Sequence, residues 1–393
     1  MKDEESTKTS TKTSLILIIF AIATIMGLIT FETGSTNSND VIYVSPSGDT
    51  TDVTDADNIE DALLAVAAGG TVVLTEGHFY SSRSLTIENF HGTFKGQGKD
   101  ETTIEAVRGP EGQGFTLAYD PNYDLWIPAL VWFYQPNGDI QVTDLTAQVI
   151  EPNLCDPYTL PWFEPELTAL CNFFCFTETN YNTELNSLRI KGALVDPFPG
   201  FNVLYPCLVE FSEGGIHLVQ NCDFEYVYFG SEFYVLTNSK IIIKKNTFTQ
   251  CYVGTPISYV TSSEIIIKEN TYTECVRGIS IGGITNSQII IRDNSFVQGF
   301  FGIATFFLDN AKIKENDISQ CFIGVYLYYV SDSRVQENEI EDSTQYGIAL
   351  VFDSSDNRII DNEVENSGEY DLFWDGTGEG NIWRENEFDT SNF

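Results

Sequence analysis

Aromatic and acidic side chains are concentrated in residues 107–206 and just beyond, and together they could bind or cleave a sugar chain. Aromatic rings stack on the apolar faces of sugars, and carboxylates accept hydrogen bonds from hydroxyls. Two carboxylates at a suitable separation can also hydrolyse a glycosidic bond. The candidate rings are Trp126, Trp132, Tyr134 and Trp162, and the candidate acids are Asp120, Asp124, Glu178, Glu210 and Glu232.

The same residues allow an interpretation that involves no ligand. The rings of residues 107–206 would then pack against one another as a small core beneath long loops, held by proline and cysteine. The sequence therefore leaves three alternatives for this region: a loop core, a sugar-binding groove, and a hydrolase or lyase site.

Metal chemistry has little support among the residue types. The three histidines, His78, His91 and His217, are far apart in the sequence, and no cysteine spacing is typical of a zinc site. We therefore predict no metal site and no cofactor. Calcium would suit so acidic a chain, although no calcium-binding motif supports it.

The elements that must position these residues show a repeat from residue 216 onward. Eight segments align on one asparagine, with gaps of 25, 24, 24, 22, 22, 24 and 24 residues. In the later seven segments an apolar residue stands three positions before the asparagine, and another stands two positions after it. The aligned asparagines are Asn221, Asn246, Asn270, Asn294, Asn316, Asn338, Asn362 and Asn386.

A unit of 22–25 residues with short alternating stretches is typical of one coil of three strands. Such coils stack at about 4.8 Å, so an asparagine side chain can bond to the asparagine of the next coil. Asparagine also tolerates the left-handed conformation of a corner. An amphipathic stretch over residues 57–68, with Asp57 and Glu60 as a capping-box-like start, predicts a helix that covers the first coil.

These patterns predict an all-β parallel β-helix over residues 41–393, preceded by a signal anchor or signal peptide and linker in residues 1–40. Residues 216–393 are expected to form regular coils. Residues 107–206 break the period and are expected to form a loop-rich insertion, in which strands persist at 129–134 and 173–176.

The repeats, such as IIIKENTY (265–272), and the opening run GGTVVLTEGHFY (69–80) resemble the pectin-lyase-like right-handed parallel β-helix superfamily. Their repeat pattern is similar to that of the NosD-type repeats of carbohydrate-binding proteins and sugar hydrolases. The resemblance covers residues 41–106 and 207–393 and implies a right-handed coil. It also implies that any reaction takes place on the outer face of the first strand of each coil. There the later coils carry Ser258, Ser280, Phe306, Tyr326, Tyr328 and Val351, which offer no acid–base pair.

The catalytic motifs of that superfamily are largely missing. A polygalacturonase would need Asn-Thr-Asp, Asp-Asp, Gly-His-Gly and Arg-Ile-Lys in order, and the sequence contains Arg189-Ile190-Lys191 alone. These three residues occupy ordinary apolar and basic repeat positions, which favours a structural role. Asp120-Pro121-Asn122 lacks the histidine of the Asp-Pro-His signature of alginate epimerases.

Stacking turns each repeat position into a column of side chains. The residue before the asparagine is acidic in six consecutive coils, from Glu269 to Glu385, and the preceding position is mostly basic. Such neighbouring columns predict a solvated lattice of ion pairs rather than a cation site. Ile242, Ile266 and Ile290 occupy an outward position, and we expect the 107–206 loops or another subunit to cover them.

The eight cysteines permit disulfides if the chain is exported. Cys155 is expected to pair with Cys171 or Cys175, without a fixed connectivity. Cys251 and Cys275 fall one coil apart in a column of small residues, where packing is the simpler explanation.

Charge and one apolar segment restrict partners and location. The formal net charge of −37 repels phosphate backbones, which excludes nucleic acid as a partner. Residues 14–31 carry no charge and are nearly long enough to cross a bilayer. Lys8 and Lys12 precede them, so the bulk of the chain is expected outside the cytoplasm, anchored by this segment or secreted.

Three functions fit these observations. The first is a surface protein whose β-helix binds polysaccharide or another cell-surface partner without turnover. The second is a polysaccharide lyase or glycoside hydrolase that acts through residues 107–206. The third is a structural stalk or adhesin.

Overall fold

The computed structural model describes residues 40–50, 53–109, 115–120, 125–127, 129–150, 172–192 and 209–393. Within them the chain forms a right-handed parallel β-helix, as predicted. Each coil contributes one strand to each of three sheets, and all strand pairs in these sheets are parallel. A hydrophobic core fills the interior from end to end.

The first sheet has 13 strands. They are β1 (Val41–Val44), β2 (Thr71–Leu74), β5 (Gly92–Lys95), β10 (Ile140–Thr143), β13 (Thr183–Asn186), β16 (Ile216–Gln220), β19 (Lys240–Lys244), β22 (Glu264–Lys268), β25 (Gln288–Arg292), β28 (Ala311–Lys314), β31 (Arg334–Gln336), β34 (Arg358–Ile360) and β37 (Ile382–Arg384).

The second sheet has 12 strands. They are β3 (Gly77–Ser81), β6 (Thr102–Ala106), β11 (Thr146–Val149), β14 (Arg189–Lys191), β17 (Asp223–Glu225), β20 (Thr247–Thr249), β23 (Thr271–Thr273), β26 (Ser295–Val297), β29 (Asp317–Ser319), β32 (Glu339–Glu341), β35 (Glu363–Glu365) and β38 (Glu387–Phe388).

The third sheet has 11 strands. They are β4 (Leu85–Glu88), β9 (Ala129–Tyr134), β12 (Asn172–Thr177), β15 (Val209–Glu213), β18 (Phe233–Thr237), β21 (Val253–Thr261), β24 (Arg277–Ile284), β27 (Phe301–Asp309), β30 (Ile323–Ser331), β33 (Tyr346–Val351) and β36 (Tyr370–Trp374). Strands β9 and β12 confirm that coils persist through the predicted insertion. A separate antiparallel hairpin joins β7 (Ala118–Asp120) and β8 (Leu125–Ile127).

The helix α1 spans Val53–Ala65, so the prediction of residues 57–68 placed both ends too late. Asp57 and Glu60 do not form the predicted capping box. Instead both carboxylates bind the guanidinium of Arg83, at 2.8 and 2.6 Å. The buried Asp55 joins the helix to the first coils, because its carboxylate accepts hydrogen bonds from the backbone N–H groups of Ser47 and Tyr80.

The interior is packed in columns. The rings of Phe224, Phe248, Tyr272 and Phe296 stack with centroids 4.7–4.8 Å apart and nearly parallel planes. Five glycines stand eight or nine residues after a ladder asparagine: Gly254, Gly278, Gly302, Gly324 and Gly347. The aromatic stack explains those that lie against its rings. A Cβ atom on Gly278 would lie 2.5 Å from the Phe296 ring, so only glycine leaves room for the aromatic column.

The asparagines form a continuous ladder at one corner. The side chain of Asn316 is typical: its Oδ1 accepts from the N–H and the amide of Asn294, and its Nδ2 donates to the carbonyl of Ile291 at 3.1 Å. Equivalent bonds join the ladder asparagines in turn, which are Asn246, Asn270, Asn294, Asn316, Asn338, Asn362 and Asn386. Each one satisfies backbone groups that would otherwise be buried without partners.

Two details of the asparagine prediction were wrong. Asn221 pairs in register with Lys245, so Cys222, not Asn221, occupies the ladder position opposite Asn246. The left-handed residue of the corner is the one before the ladder asparagine. Glu269 and Glu315, for example, have φ of 57° and 54°, and their N–H groups donate to the next coil. The ladder asparagines are selected for their amide bonds and not for a left-handed backbone.

The acidic and basic columns form the predicted ion-pair lattice. Lys268 contacts Glu269 at 2.7 Å, and Lys314 contacts Glu315 at 2.9 Å, with both partners of each pair partly exposed. Arg189, the one polygalacturonase-motif match, pairs with Asp100 at 2.7 Å on the surface of the second sheet. Such exposed pairs contribute little stability, on the order of 0–1 kcal/mol each.

Ile242, Ile266 and Ile290 stack in register on the outer face of the first sheet, each half-buried. That another subunit or the 107–206 loops cover them stays a prediction, which sedimentation of the protein in solution would test. Cys251 and Cys275 also stack one coil apart, as buried thiols. Cys155 and Cys171 lie outside the described residues, so their pairing stays a prediction as well.

No helix in the described ranges has the length and apolar composition needed to cross a membrane. Residues 14–31, on which the predicted anchor depends, lie outside those ranges.

His217 is enclosed in the interior, where its two ring nitrogens lie 3.0 Å from the hydroxyls of Thr183 and Ser212. Burial lowers the pKa of this imidazole to about 4. The folded protein therefore binds a proton at His217 less readily than the unfolded chain does. The resulting stabilisation is fully present above pH ~6.5 and is lost as the pH falls toward 4.

We predict that His217→Gln flattens the acid limb of the stability curve. Between pH 7 and 4 the unmodified protein should lose about 3 kcal/mol more unfolding free energy than the variant, because only the histidine must be protonated. Urea unfolding at several pH values measures this difference. Parallel curves for the two proteins would contradict the assignment of a neutral buried histidine.

We also predict that Asn316→Ala destabilises the coil stack by about 3 kcal/mol, because the Asn294 N–H and the Ile291 carbonyl lose their partners. The matched control is Glu363→Ala, an exposed change on the second sheet that should stay within about 0.5 kcal/mol of the unmodified protein. Denaturant midpoints measure both. Equal midpoints for the two variants would show that the ladder is dispensable.

Candidate functional site on the outer face of the third sheet

Two columns of side chains point outward from the third sheet. From β21 onward the first column comprises Pro256, Ser280, Ala304, Tyr326, Ala349 and Phe373. The second runs along the whole sheet through Glu88, Tyr134, Thr177, Glu210, Tyr234, Ser258, Gly282, Phe306, Tyr328 and Val351. The sequence placed six residues on this outer face, and all of them belong to these two columns: Ser258, Ser280, Phe306, Tyr326, Tyr328 and Val351.

At the β9 end this face carries a second buried group, which we call the outer cluster: Ala118, Ala129, Trp132, Tyr134 and Cys175. Trp132 is only 2% exposed. Its indole Nε1 donates to Thr177 Oγ1 at 2.9 Å, and its ring lies 4.9 Å from that of Tyr134. In this arrangement the Trp132 ring contacts protein on its outer side.

The remaining candidates of the insertion are only partly visible. Trp126 lies on β8 and Asp120 ends β7, but their side chains fall outside the described part of the structure. Asp124 and Trp162 lie outside the described residues altogether.

Three of the candidate acids come together on successive coils. Glu210 pairs in register with Thr177 on one side and Tyr234 on the other. Glu178 follows Thr177 in a left-handed conformation, with φ of 54°, and its carboxylate is bound by the amide of Gln135. Glu232 precedes β18 and lies two residues before Tyr234, the residue that pairs with Glu210. The Cα atoms of Glu210 and Glu232 are therefore about 8 Å apart. Glu210 and Glu232 are 3% and 6% exposed.

Beyond these acids the face becomes an exposed aromatic surface. We call it the aromatic strip, and it comprises Tyr259, Phe306, Phe307, Tyr326, Tyr328, Tyr329 and Phe352. Phe307 and Tyr329 stack at 5.3 Å with planes 17° apart, and Tyr328 and Phe352 approach to 4.5 Å. The four most exposed rings, Tyr259, Phe307, Tyr329 and Phe352, have 44–61% of their surface accessible. Exposed apolar patches of this kind mark interaction sites on proteins.

The most exposed rings share an unusual backbone. Phe307, Tyr329 and Phe352 have φ of 51–53°, and Tyr259 has φ of 56°, a left-handed conformation that costs a bulky residue roughly 1–2 kcal/mol. In the coil between Tyr259 and Phe307 the position is Gly283, where a Cβ atom would lie 3.2 Å from the Tyr259 ring. The glycine thus gives the Tyr259 ring room to lie across the next coil.

Sequence reasoning missed this column because the left-handed residue breaks the alternation of the strand. Phe306 and Phe307 both face outward, although adjacent residues of a regular strand point to opposite sides. The adjacent aromatic pairs Phe306-Phe307 and Tyr328-Tyr329, 22 residues apart, were the available signal.

The three parallel sheets define the chain as a parallel β-helix protein. Residues 204–393, slightly less than half of the chain, match the family model described as periplasmic copper-binding protein (NosD). Comparison with curated proteins gives no match.

Solved structures show the same fold at low sequence identity. A hyperthermoactive exopolygalacturonase from Thermotoga maritima aligns with a TM-score of 0.59 and 12% identity, over 89% of this chain and 94% of that one. The catalytic unit of a GH87 α-1,3-glucanase from Streptomyces thermodiastaticus aligns with a TM-score of 0.54 and 13% identity, over 89% and 69%. A periplasmic alginate epimerase, an AlgG double mutant, aligns with a TM-score of 0.51 and 12% identity, over 81% and 84%.

The described donors do not fit a copper centre, which needs thiolate, thioether or imidazole ligands that converge. His217 is enclosed by two hydroxyls, and His78 contacts Glu105 at 3.1 Å. Burial raises the pKa of Cys251 well above its usual value and that of Cys222 to about 12. Within the described ranges no three or more His, Cys, Asp or Glu side chains form a group that could hold a metal.

We predict that Tyr329→Asn leaves the stability within about 1 kcal/mol of the unmodified protein, because asparagine relieves the left-handed strain while the ring stacking is lost. By contrast, Phe296→Ala, which empties the interior stack, should cost about 3–5 kcal/mol. Denaturant midpoints measure both. If Tyr329→Asn cost as much as Phe296→Ala, the exposed ring would be part of the packing and not of a surface available to a ligand.

Proposed function

We propose that this protein is an extracytoplasmic β-helix that binds polysaccharide along the aromatic strip without cleaving it. The observation that carries the proposal is the column Tyr259, Phe307, Tyr329 and Phe352, whose rings are exposed in spite of the backbone strain. A small or polar residue would adopt the same corner at lower cost, so the presence of bulky rings at four such positions supports a role for the rings themselves.

The dimensions of the strip suit a polymer. Its rings run parallel to the helix axis from β21 to β33, a distance of four coil steps or about 19 Å. The strip has rings on four of these five coils, and together they form an apolar surface against which several sugars can pack, so affinity should increase with the length of the oligosaccharide. The outward neighbours Ser258, Ser280, Tyr326 and Tyr328 supply hydroxyl groups for hydrogen bonds to the sugar hydroxyls.

The positions of the acidic side chains support binding without turnover. Along the two outward columns of the strip, as the structure describes them, the side chains are aromatic, small or hydroxylated, and none is a carboxylate. Glu178, Glu210 and Glu232 lie at one end of the strip, and the latter two are almost fully buried. The neighbouring positions of Glu210 and Glu232 favour a glycoside hydrolase as the second candidate, in which Trp126, Trp132, Tyr134 and Trp162 would flank the reacting sugar. A stalk or adhesin without a glycan ligand is the third.

The proposed function includes a location outside the cytoplasm. The matched family is described as periplasmic, and the three structural neighbours include enzymes that act on polysaccharides. Both support a chain exported by residues 14–31 and either anchored by them or released.

We predict that Tyr259→Asn, Phe307→Asn and Tyr329→Asn together weaken retention on a polysaccharide at least tenfold, because stacking contributes most of the contact. The matched control combines Gln250→Asn, Gln298→Asn and Gln320→Asn. These glutamines lie in the same three coils with φ of 52–60°, but at a different corner. Affinity electrophoresis against β-1,3-glucan, β-1,4-mannan, dextran, alginate and polygalacturonate measures both variants.

Retention without new reducing or unsaturated ends supports binding without turnover. New ends that disappear in Glu210→Gln would establish the hydrolase or lyase instead. Retention that is equal in the aromatic and the control variant would show that the ligand binds elsewhere on the protein.

A further inference from the structure

On the strands of the β-helix, the lysine and arginine side chains lie away from the aromatic strip. Arg277 is the one lysine or arginine on the eleven strands of the third sheet. The strands of the first sheet, by contrast, carry ten: Lys95, Lys240, Lys244, Lys268, Arg292, Lys312, Lys314, Arg334, Arg358 and Arg384. The two faces therefore present different chemistry to a ligand, one dominated by charge and the other by rings.

Arg277 is itself engaged with the protein. Its guanidinium lies over the ring of Phe301, 5.8 Å from the centroid. It stands at the start of β24, four positions before the inward Ile281, and not between the exposed rings. The described surface of the strip thus offers neither a fork of donors nor an ammonium group for a carboxylate.

Acids border the strip instead. Glu178, Glu210 and Glu232 lie at its β18 side, and Asp353 and Asp375 lie beside Phe352, whose N–H is bound by the Asp375 carboxylate at 2.7 Å. The whole chain adds a formal net charge of −37. Proteins ordinarily bind carboxylates through arginine or lysine. A polyuronate laid along this face would meet repulsion from the acids with no compensating cation.

Resting on the proposed function, we infer that the polysaccharide taken by the aromatic strip is an uncharged, hydroxyl-rich glycan and not a polyuronate. Stacking on Tyr259, Phe307, Tyr329 and Phe352 requires only the apolar face of a sugar ring, which neutral hexoses provide. The same surface rejects a carboxylated chain of identical backbone through its charge. Selectivity for neutral glycans would then arise from the missing cations and the nearby acids as well as from the exposed rings.

The test compares each acidic polymer with its own carboxyl-reduced form, so that backbone linkage and length stay constant. Alginate and polygalacturonate are used with their reduced, neutral counterparts, at about 20 mM and about 500 mM salt, with the full protein and the triple asparagine variant. At low salt the neutral form should bind at least tenfold more tightly than the acidic form. The difference should narrow at high salt, because screening shortens the reach of the protein's charge.

A gain-of-function variant sharpens the test. Ser258→Lys with Ser280→Lys places two ammonium groups on the outward columns between the rings, and it should raise the affinity for the acidic forms at least tenfold relative to the affinity for the neutral forms. The control is Thr247→Lys with Thr271→Lys, on the exposed outer face of the second sheet. It should change the affinity for neither the acidic nor the neutral forms.

Tighter binding of the acidic form by the unmodified protein, lost in the triple asparagine variant, would overturn this inference and leave the proposed function intact. Binding of neither form, with or without the added lysines, would contradict the proposed function itself.

Discussion

Every coil of this protein stacks on the next in register, at the spacing of about 4.8 Å that hydrogen bonds between parallel strands impose. That constraint turns each repeat position into a column, so a side chain suits its place only if it also suits the same side chain above and below it. The asparagine ladder meets this condition through its amide, which donates and accepts along the column. The left-handed corners meet it through their N–H groups, which donate to the carbonyl of the next coil.

The same constraint divides the surface into three faces. The strands of the first sheet carry ten lysines and arginines, and the adjoining corner carries acids that pair with some of them. The second sheet is acidic at its far end, where Glu339, Glu363 and Glu387 stack in register. The third sheet carries aromatic rings and short side chains. Like charges stacked at about 4.8 Å repel one another, whereas stacked rings attract, so a long apolar ligand surface costs less to build on this fold than a long charged one.

The sequence predicted the coil, its period, and the columns that follow from strict repetition. Its errors lie where one residue escapes the period. Asn221 was assigned to the ladder because asparagine stands there, although the first regular coil uses Cys222. The helix was placed too late because Asp57 and Glu60 suit a cap, whereas Arg83, distant in sequence, takes both carboxylates.

The candidate site shows the same limit. The acids Glu178, Glu210 and Glu232 were chosen from the sequence, and the structure brings them to neighbouring strands. The exposed ring of Tyr329 was not found, because a left-handed backbone on a bulky residue reverses the side it faces. A pattern based on alternation assigns such a residue to the interior.

The most direct test of this account is the structure of the protein in complex with a neutral oligosaccharide of about six sugars. The account predicts the ligand along the helix axis on the outer face of the third sheet, with its sugar rings stacked on Tyr259, Phe307, Tyr329 and Phe352. A ligand bound instead on the first sheet, or in the region of residues 107–206 without contact to these rings, would contradict it.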